Sequence, residues 1–254
     1  MEILINNTAG TLHIQINRPD KKNALTFDMY EVMADAIRKA ESDNDVGCIL
    51  FSGVEGAFCA GNDLKDFQAR PPKDETAPAF QFILSLAEST VPIIAAVDGV
   101  AIGIGATMLL HCDKVFVTKD AYLQLPFVNL GLTPEAGSSY LLSKLMGHAR
   151  ASELLIGGKA FNGQRAIELG IANALCEKDN LFDMAKSYAQ EIAVKPPRAV
   201  RASKALMKSD MDVVVSQIRK EVMEFVERLQ SDECGEALSA FMEKRPADFS
   251  KSKN

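Results

Sequence analysis

Predicted strands alternate with predicted helices through roughly the first 175 residues of the chain, and this order favours an α/β core. Residues 48–51 and 93–97 are short apolar runs, as is typical of buried strands. Ahead of the first run, Thr26 can cap a helix whose apolar residues recur every 3.6 residues; they are Tyr30, Met33, Ala34 and Ile37. Residues 80–87 predict another helix. Residues 1–17 predict a hairpin.

The chain changes character near residue 195, where Pro196 and Pro197 mark a boundary. The residues that follow are predicted to be helical, and one apolar stripe at helical spacing must be covered by the rest of the chain or by another subunit. The stripe consists of Met211, Val214, Val215, Ile218, Val222, Phe225, Val226 and Leu229. We therefore divide the chain into an α/β core of residues 1–195 and a C-terminal helical oligomerisation region of residues 196–254.

Charge and cysteine content exclude several classes of protein. The 28 basic and 34 acidic side chains give a net charge of -6, which opposes nonspecific binding to nucleic acid or to an anionic membrane. The start of the chain lacks the pattern of a secretory signal, and no apolar run is long enough to span a bilayer. The cysteines are odd in number and lack zinc spacing, so we predict no metal site, reduced thiols and a cytoplasmic location; they are Cys48, Cys59, Cys112, Cys176 and Cys234.

Two glycine-containing segments can direct a backbone N–H group toward a ligand. In residues 56–64, Gly61 permits a sharp turn that exposes the N–H of Asn62. In residues 98–105, a helix is predicted to open near the end of the segment and to continue to residue 111, which makes the N–H of Ile104 a second candidate donor. Each segment is also compatible with an ordinary turn or with close packing of a helix on a strand. A dinucleotide-binding motif fails because Met108 occupies the third glycine position.

Glu135 follows Pro134 in a turn just before a predicted helix, among small and apolar residues. Such surroundings can raise the pKa of a carboxyl group until it serves as a base near neutrality. An acidic residue in this position can also simply complement the helix dipole. The three histidines have no acidic partner at catalytic or metal spacing and are interpreted as structural; they are His13, His111 and His148.

Taken together, four segments resemble the motifs of the enoyl-CoA hydratase/isomerase family, also called the crotonase family, in their usual order. They are NRPDKKNALT (17–26), AFCAGNDL (57–64), DGVAIGIG (98–105) and FMEKR (241–245). The resemblance implies an α/β fold in which a spiral of ββα units precedes a C-terminal helical trimerisation region. It also implies a homotrimer or a dimer of trimers.

The resemblance further implies an acyl-CoA substrate whose thioester oxygen accepts hydrogen bonds from the N–H groups of Asn62 and Ile104. Backbone donors of this kind stabilise the negative charge of an enolate. Phe241 and Lys244 would reach the CoA of a neighbouring subunit. The substrate-binding residues implied in this way are Ala24, Ala60, Gly61, Asn62, Asp63, Leu64, Ile104, Phe241 and Lys244.

Departures from the family pattern bear on the reaction. The two glutamates of typical hydratases are matched by Thr107 and Phe127, neither of which has a carboxyl group. The residues around Glu135 resemble the Δ3,Δ2-enoyl-CoA isomerases, in which one glutamate moves a proton from C2 to C4. We therefore predict such an isomerase, with no cofactor because CoA is part of the substrate. The alternatives are an enoyl-CoA hydratase, a dienoyl-CoA isomerase and a noncatalytic acyl-CoA-binding subunit.

Overall fold

The computed structural model describes residues 1–252, so the last two residues of the predicted helical region lie outside it. The strands are β1 (Ile3–Thr8), β2 (Thr11–Ile16), β3 (Cys48–Ser52), β4 (Ala57–Cys59), β5 (Ile93–Val97), β6 (Val100–Ile102), β7 (Lys114–Thr118), β8 (Tyr122–Gln124), β9 (Phe161–Asn162) and β10 (Ala174–Cys176). The helices are α1 (Phe27–Ser42), α2 (Leu64–Ala69), α3 (Pro78–Glu88), α4 (Ile104–Thr107), α5 (Ser138–Met146), α6 (His148–Leu155), α7 (Gly163–Glu168), α8 (Lys178–Ala193), α9 (Pro197–Met207), α10 (Met211–Leu229) and α11 (Asp232–Glu243).

The larger sheet has the strand order β1-β2-β3-β5-β7-β10 and is parallel except for the β1–β2 hairpin. Every residue of β3 and β5 is buried because helices cover both faces of the sheet. Alternate side chains of these strands point to opposite faces. One set packs in the core with α1 and α3, and the other packs against α8.

The smaller sheet has the order β4-β6-β8-β9, and its first three strands are parallel. Ala57 pairs with Val100 and Cys59 pairs with Ala101. Because parallel strands end at the same edge of a sheet, the turns that follow β4 and β6 lie side by side. This edge carries the candidate site.

The apolar stripe of α10 is covered by the same chain. Val214, Ile218 and Val222 are buried in the main core. The ring of Phe225 makes edge contacts with the rings of Phe67 and Phe80 at centroid distances of 6.1 and 6.0 Å. The stripe therefore gives no support to a subunit interface, and the prediction of a trimer depends on the family resemblance alone.

Local predictions agree with the structure in most places. The hairpin, the helix capped by Thr26 and the strand over residues 93–97 are confirmed. The α-helix predicted up to residue 111 is wrong in part: α4 has a single turn, and a 3-10 helix completes the segment over Met108–His111. Short 3-10 turns commonly finish an α-helix because they satisfy the last carbonyl groups.

The predicted α/β core with C-terminal helices is also observed, although the division at residue 195 stays a prediction. Within residues 1–252, no helix is both long enough and apolar enough to cross a bilayer.

Candidate active site

Two glycines with left-handed backbone shape the turns after β4 and β6. Gly61 has φ 91° and Gly103 has φ 56°, a region in which other residues are strained. A Cβ atom on Gly61 would lie 3.0 Å from the carbonyl oxygen of Ile102, so the two turns are in close contact. A larger residue at position 61 would press on the second turn, whereas a Cβ atom on Gly103 would meet nothing within 4 Å.

The backbone N–H groups predicted as oxyanion donors follow these glycines directly. Leu25 donates its N–H to the carbonyl of Gly61, and its own carbonyl accepts the N–H of Asp63. Asn62 lies between Gly61 and Asp63 in this parallel bridge, so its N–H faces away from Leu25. Ile104 is the first residue of α4, where an N–H group has no partner within the helix. Neither amide donates a hydrogen bond to another group within residues 1–252. Two neighbouring turns thus offer free donors to a ligand.

Glu135 is buried, with 5% of its surface exposed. The hydroxyl of Thr107, one turn along α4 from Ile104, donates to Oε1 of Glu135 at 2.5 Å. Burial raises the pKa of Glu135 to about 8; the hydrogen bond from Thr107 opposes this shift, and the nearby carboxylate of Glu221 adds to it. A carboxyl group with this pKa can both take and give a proton near neutrality.

Tyr30 is a buried residue for which the sequence predicts only a place on the apolar face of a helix. Burial raises the pKa of its hydroxyl well above the ordinary value, so the hydroxyl stays protonated. It donates to Oδ1 of Asn62 at 2.6 Å and thereby fixes the side chain of the residue whose N–H is free. The periodic apolar face of α1 identified Tyr30 as inward-facing, but this contact depends on the tertiary structure.

The turn that carries Glu135 is held from two sides. His111 lies 2.8 Å from the carbonyl oxygen of Ala136, and Glu221 accepts the N–H of Gly137 at 2.6 Å. His111 was interpreted from the sequence as structural, and Glu221 was not predicted as a site residue. One signal was present: Glu221 lies on the buried side of the α10 stripe, three residues after Ile218, where an apolar residue is expected.

Residues 60–64, with Ala24 beside them, form the predicted CoA-binding loop. Short backbone hydrogen bonds and an ion pair hold this loop together. Arg18 donates to the carbonyl of Ala24 at 2.9 Å and forms an ion pair with Asp63 at 2.7 Å. Asp63 in turn caps α2, which begins at Leu64. The structure thus brings together the predicted residues Ala24, Ala60, Gly61, Asn62, Asp63 and Leu64.

Phe241 and Lys244 lie elsewhere, at the end of α11. This helix packs against α10 and against the 3-10 turn Val128–Leu130. The side chain of Phe241 is 63% exposed, and Lys244 ends the helix with φ 55°. Within one chain the structure does not bring these residues to Glu135, and their role toward a neighbouring subunit stays a prediction.

A cavity of about 440 Å³ lies between residues 109–112, α5 and the start of α10, away from the free amides. His111, Lys208 and Val214 are among its lining residues, whereas the predicted site residues are not. Within residues 1–252, no group of three or more His, Cys, Asp or Glu side chains is arranged to hold a metal ion. The candidate site is therefore defined by the two amides and Glu135.

A comparison with known protein families agrees with this geometry. The model of the family described as enoyl-CoA hydratase/isomerase matches residues 6–252. This chain belongs to the enoyl-CoA hydratase/isomerase family. The family membership predicted from the four motifs is confirmed.

Solved structures with similar sequences share the fold. The structure of OdaA from Pseudomonas aeruginosa is 44% identical, has a TM-score of 0.92 and aligns with 95% of this chain and 98% of its own. An enoyl-CoA hydratase/isomerase from Pseudoalteromonas atlantica is 35% identical, with a TM-score of 0.93 over 98% of this chain and all of its own. The predicted crotonase fold is confirmed.

Curated relatives in the enoyl-CoA hydratase/isomerase family differ in the reaction that their names describe. Enoyl-CoA delta isomerase 2 of Rattus norvegicus is 31% identical over 96% of this chain, which spans 64% of the length of that relative. Relatives of similar identity are named as hydratases and as isomerases, and some are named as mitochondrial or peroxisomal. Identity therefore supports an acyl-CoA enzyme without selecting the reaction or the compartment.

Proposed function

We propose that this family member is a Δ3,Δ2-enoyl-CoA isomerase, which moves the double bond of a 3-enoyl-CoA to position 2. The observation that carries the proposal is Glu135, a buried carboxyl group whose pKa lies near 8, beside the helix that begins at Ile104. A base is most effective when its pKa is close to the working pH. The cytoplasmic location stays a prediction.

In the proposed reaction the thioester oxygen accepts hydrogen bonds from the N–H groups of Asn62 and Ile104. Ionised Glu135 removes a proton from C2, and the electrons of the C2–H bond shift onto the thioester as an enolate. The two backbone donors stabilise this charge. The protonated carboxyl then delivers the proton to C4, so that the C3–C4 double bond becomes a C2–C3 double bond. Because one carboxyl group performs both transfers, the reaction needs no added cofactor.

Thr107 and Phe127 support isomerisation over hydration. Both are buried, and neither has a carboxyl group that could act as a general acid or base at neutral pH. Addition of water across a double bond requires a group that activates water and a group that protonates carbon. With Glu135 as the single carboxyl proposed to contact the substrate, hydration should be much slower than isomerisation.

The test compares both reactions on the same purified protein. We expect 3-enoyl-CoA to be converted to trans-2-enoyl-CoA, with 3-hydroxyacyl-CoA forming much more slowly. Glu135→Gln should lose at least about 100-fold in kcat, a typical contribution of a general base. Glu88→Gln, which alters an exposed glutamate at the end of α3, is the matched control and should keep wild-type activity.

Other outcomes would favour the alternatives. Faster hydration than isomerisation would indicate a hydratase with an acid that we have not identified. Turnover of a 3,5-dienoyl-CoA in preference to a 3-enoyl-CoA would indicate a dienoyl-CoA isomerase. Binding of acyl-CoA without turnover would indicate a noncatalytic subunit, and near-normal activity of Glu135→Gln would refute the assignment of the base.

A further inference from the structure

Glu221 is a buried carboxyl group far from Glu135 in sequence. It lies on α10 with only 6% of its surface exposed, on the side of the helix that packs against the core. Burying a carboxylate costs several kcal/mol unless hydrogen bonds compensate for the lost water. The partners of Glu221 therefore indicate what its position stabilises.

Every hydrogen bond that Glu221 accepts comes from the turn that follows Glu135. Oε2 accepts the N–H of Gly137 at 2.6 Å, while Oε1 accepts the N–H of Ser139 at 3.0 Å and the Ser139 hydroxyl at 2.5 Å. Gln217, one turn earlier on α10, donates to the same hydroxyl at 3.0 Å. Helix α10 thus binds the start of α5 through the Glu221 carboxylate, with the Gln217 amide beside it.

The turn needs such external support because its backbone is strained. Ala136 and Gly137 have φ angles of 60° and 68°. Holding an alanine in the left-handed region costs roughly 1–2 kcal/mol, and such a conformation persists only where the surroundings impose it. Burial lowers the pKa of His111 to about 3, so its neutral ring donates from Nε2 to the carbonyl of Ala136 on the opposite side of the turn.

We propose that Glu221 is a positioning residue for Glu135, which holds the strained turn so that the Glu135 carboxyl faces the substrate. This inference rests on the proposed role of Glu135 as the base. Glu221 also acts through its charge, because a second buried carboxylate disfavours ionisation of the first. The other titratable or hydrogen-bonding groups that face Glu135 are Thr107 on α4, Tyr30 on α1 and Cys59 on β4.

Two substitutions remove different parts of this contact. Glu221→Gln removes the charge, so the pKa of Glu135 should fall. It keeps one acceptor oxygen for the turn, while its amide NH₂ replaces the other oxygen and weakens one of the contacts with Gly137 and Ser139. Glu221→Ala releases the turn, and kcat should fall by up to about 100-fold, the loss expected when a catalytic group moves by about 1 Å. The KM for enoyl-CoA should stay nearly constant in both variants because the predicted CoA-binding loop is not touched.

The experiment follows the Glu135 carboxyl directly by ¹³C NMR on the full chain labelled at glutamate, with Glu135→Gln to assign the signal. Its titration should move to lower pH in Glu221→Gln, and the rising limb of kcat/KM should move with it. Glu224→Gln, an exposed position on the same helix, is the control and should change neither measurement. Because the NMR titration needs no turnover, a shifted titration in a protein without isomerase activity would support the coupling between Glu221 and Glu135 while refuting the proposed function.

An unchanged Glu135 titration in Glu221→Gln, together with normal kcat in Glu221→Ala, would overturn the inference even if both variants lose stability. If Glu221→Ala does not fold, Ser139→Ala replaces it, since it removes one of the three donors and leaves the backbone contacts in place. That variant should retain KM and lose kcat by several-fold. An unchanged kcat in folded Ser139→Ala, with an unshifted titration in Glu221→Gln, would equally overturn the inference.

Discussion

The hydroxyl of Thr107 lies 2.5 Å from Oε1 of Glu135 and 3.3 Å from the carbonyl oxygen of Gly103. A threonine hydroxyl has one hydrogen, so it cannot donate fully to both acceptors at the same time. When Glu135 is ionised, the carboxylate takes this hydrogen; when Glu135 is protonated, the hydroxyl can donate to Gly103 instead and accept from the acid. Thr107 therefore connects the protonation state of Glu135 to the turn that precedes Ile104.

We expect the kcat/KM of the wild-type enzyme for 3-enoyl-CoA to rise with pH and to level off above about 8, because the base must be ionised in the free enzyme. Initial rates at subsaturating substrate across this range provide the measurement. A profile that is flat from about pH 5 to about pH 9 would contradict a raised pKa at the base.

Replacing Thr107 by valine should move this profile to higher pH. The substitution removes the donor that favours ionised Glu135, so the carboxylate becomes less stable and its pKa rises further. Thr107→Ser keeps the hydroxyl and is the control, with a profile close to that of the wild type. Identical profiles for the valine and serine variants would show that the hydroxyl does not act on the base.

The ionisation of buried Glu135 should make the folded protein less stable at high pH than at low pH. The pKa of Glu135 is raised in the folded state, so the folded protein binds more protons than the unfolded chain between about pH 4.5 and about 8, and the free energy of unfolding falls as pH rises through that window. The Glu135→Gln variant has no carboxyl group at this position, so it lacks this loss of stability. We expect its free energy of unfolding to equal that of the wild type near pH 4. Above about pH 8 it should exceed the wild-type value by roughly 2–5 kcal/mol, since one unit of pKa corresponds to about 1.4 kcal/mol.

Urea denaturation of both proteins at the two ends of this range measures the difference. Equal stabilities at high pH would show that the Glu135 carboxyl ionises in the folded protein as readily as in water.

The proposed oxyanion donors are backbone groups, so the side chain of Asn62 should be dispensable for turnover. Asn62→Ala should remain active but lose about 1–3 kcal/mol of stability, because the buried hydroxyl of Tyr30 loses its acceptor. Ile104→Pro removes the N–H itself at a position where a helix tolerates proline, and it should lose about 10²–10³ in kcat.

Circular dichroism must show that Ile104→Pro remains folded. Full activity of a folded Ile104→Pro protein would exclude Ile104 as a donor.

The family resemblance predicts a trimer or a dimer of trimers with Lys244 near the CoA of a neighbouring subunit. Light scattering at micromolar concentration should give three or six times the mass of one chain. Lys244→Glu should raise the KM for enoyl-CoA without changing this mass, because it places a negative charge near the CoA phosphates. A monomeric mass would refute the assembly, and an unchanged KM would refute the contact.

Local patterns predicted much of the fold. The apolar period and the capping Thr26 identified α1, and the short apolar run over residues 93–97 matched β5 residue for residue. These features depend on neighbours a few residues apart, so the sequence contains them directly. The sequence predicted the end of α4 less well. One turn of α-helix followed by a 3-10 helix differs from a continuous α-helix only in the geometry of a few hydrogen bonds.

The order of the motifs and the absence of hydratase carboxyl groups at Thr107 and Phe127 were determined by the sequence alone. Only the tertiary structure decided how acidic Glu135 is, what holds its turn and what covers the stripe of α10. A pKa depends on the water excluded by every surrounding element and on charges brought close in space, and Glu221 lies 84 residues beyond Gly137, the residue that it holds. Such contacts form only when α10 packs against the core, so no local pattern around Glu135 could contain them.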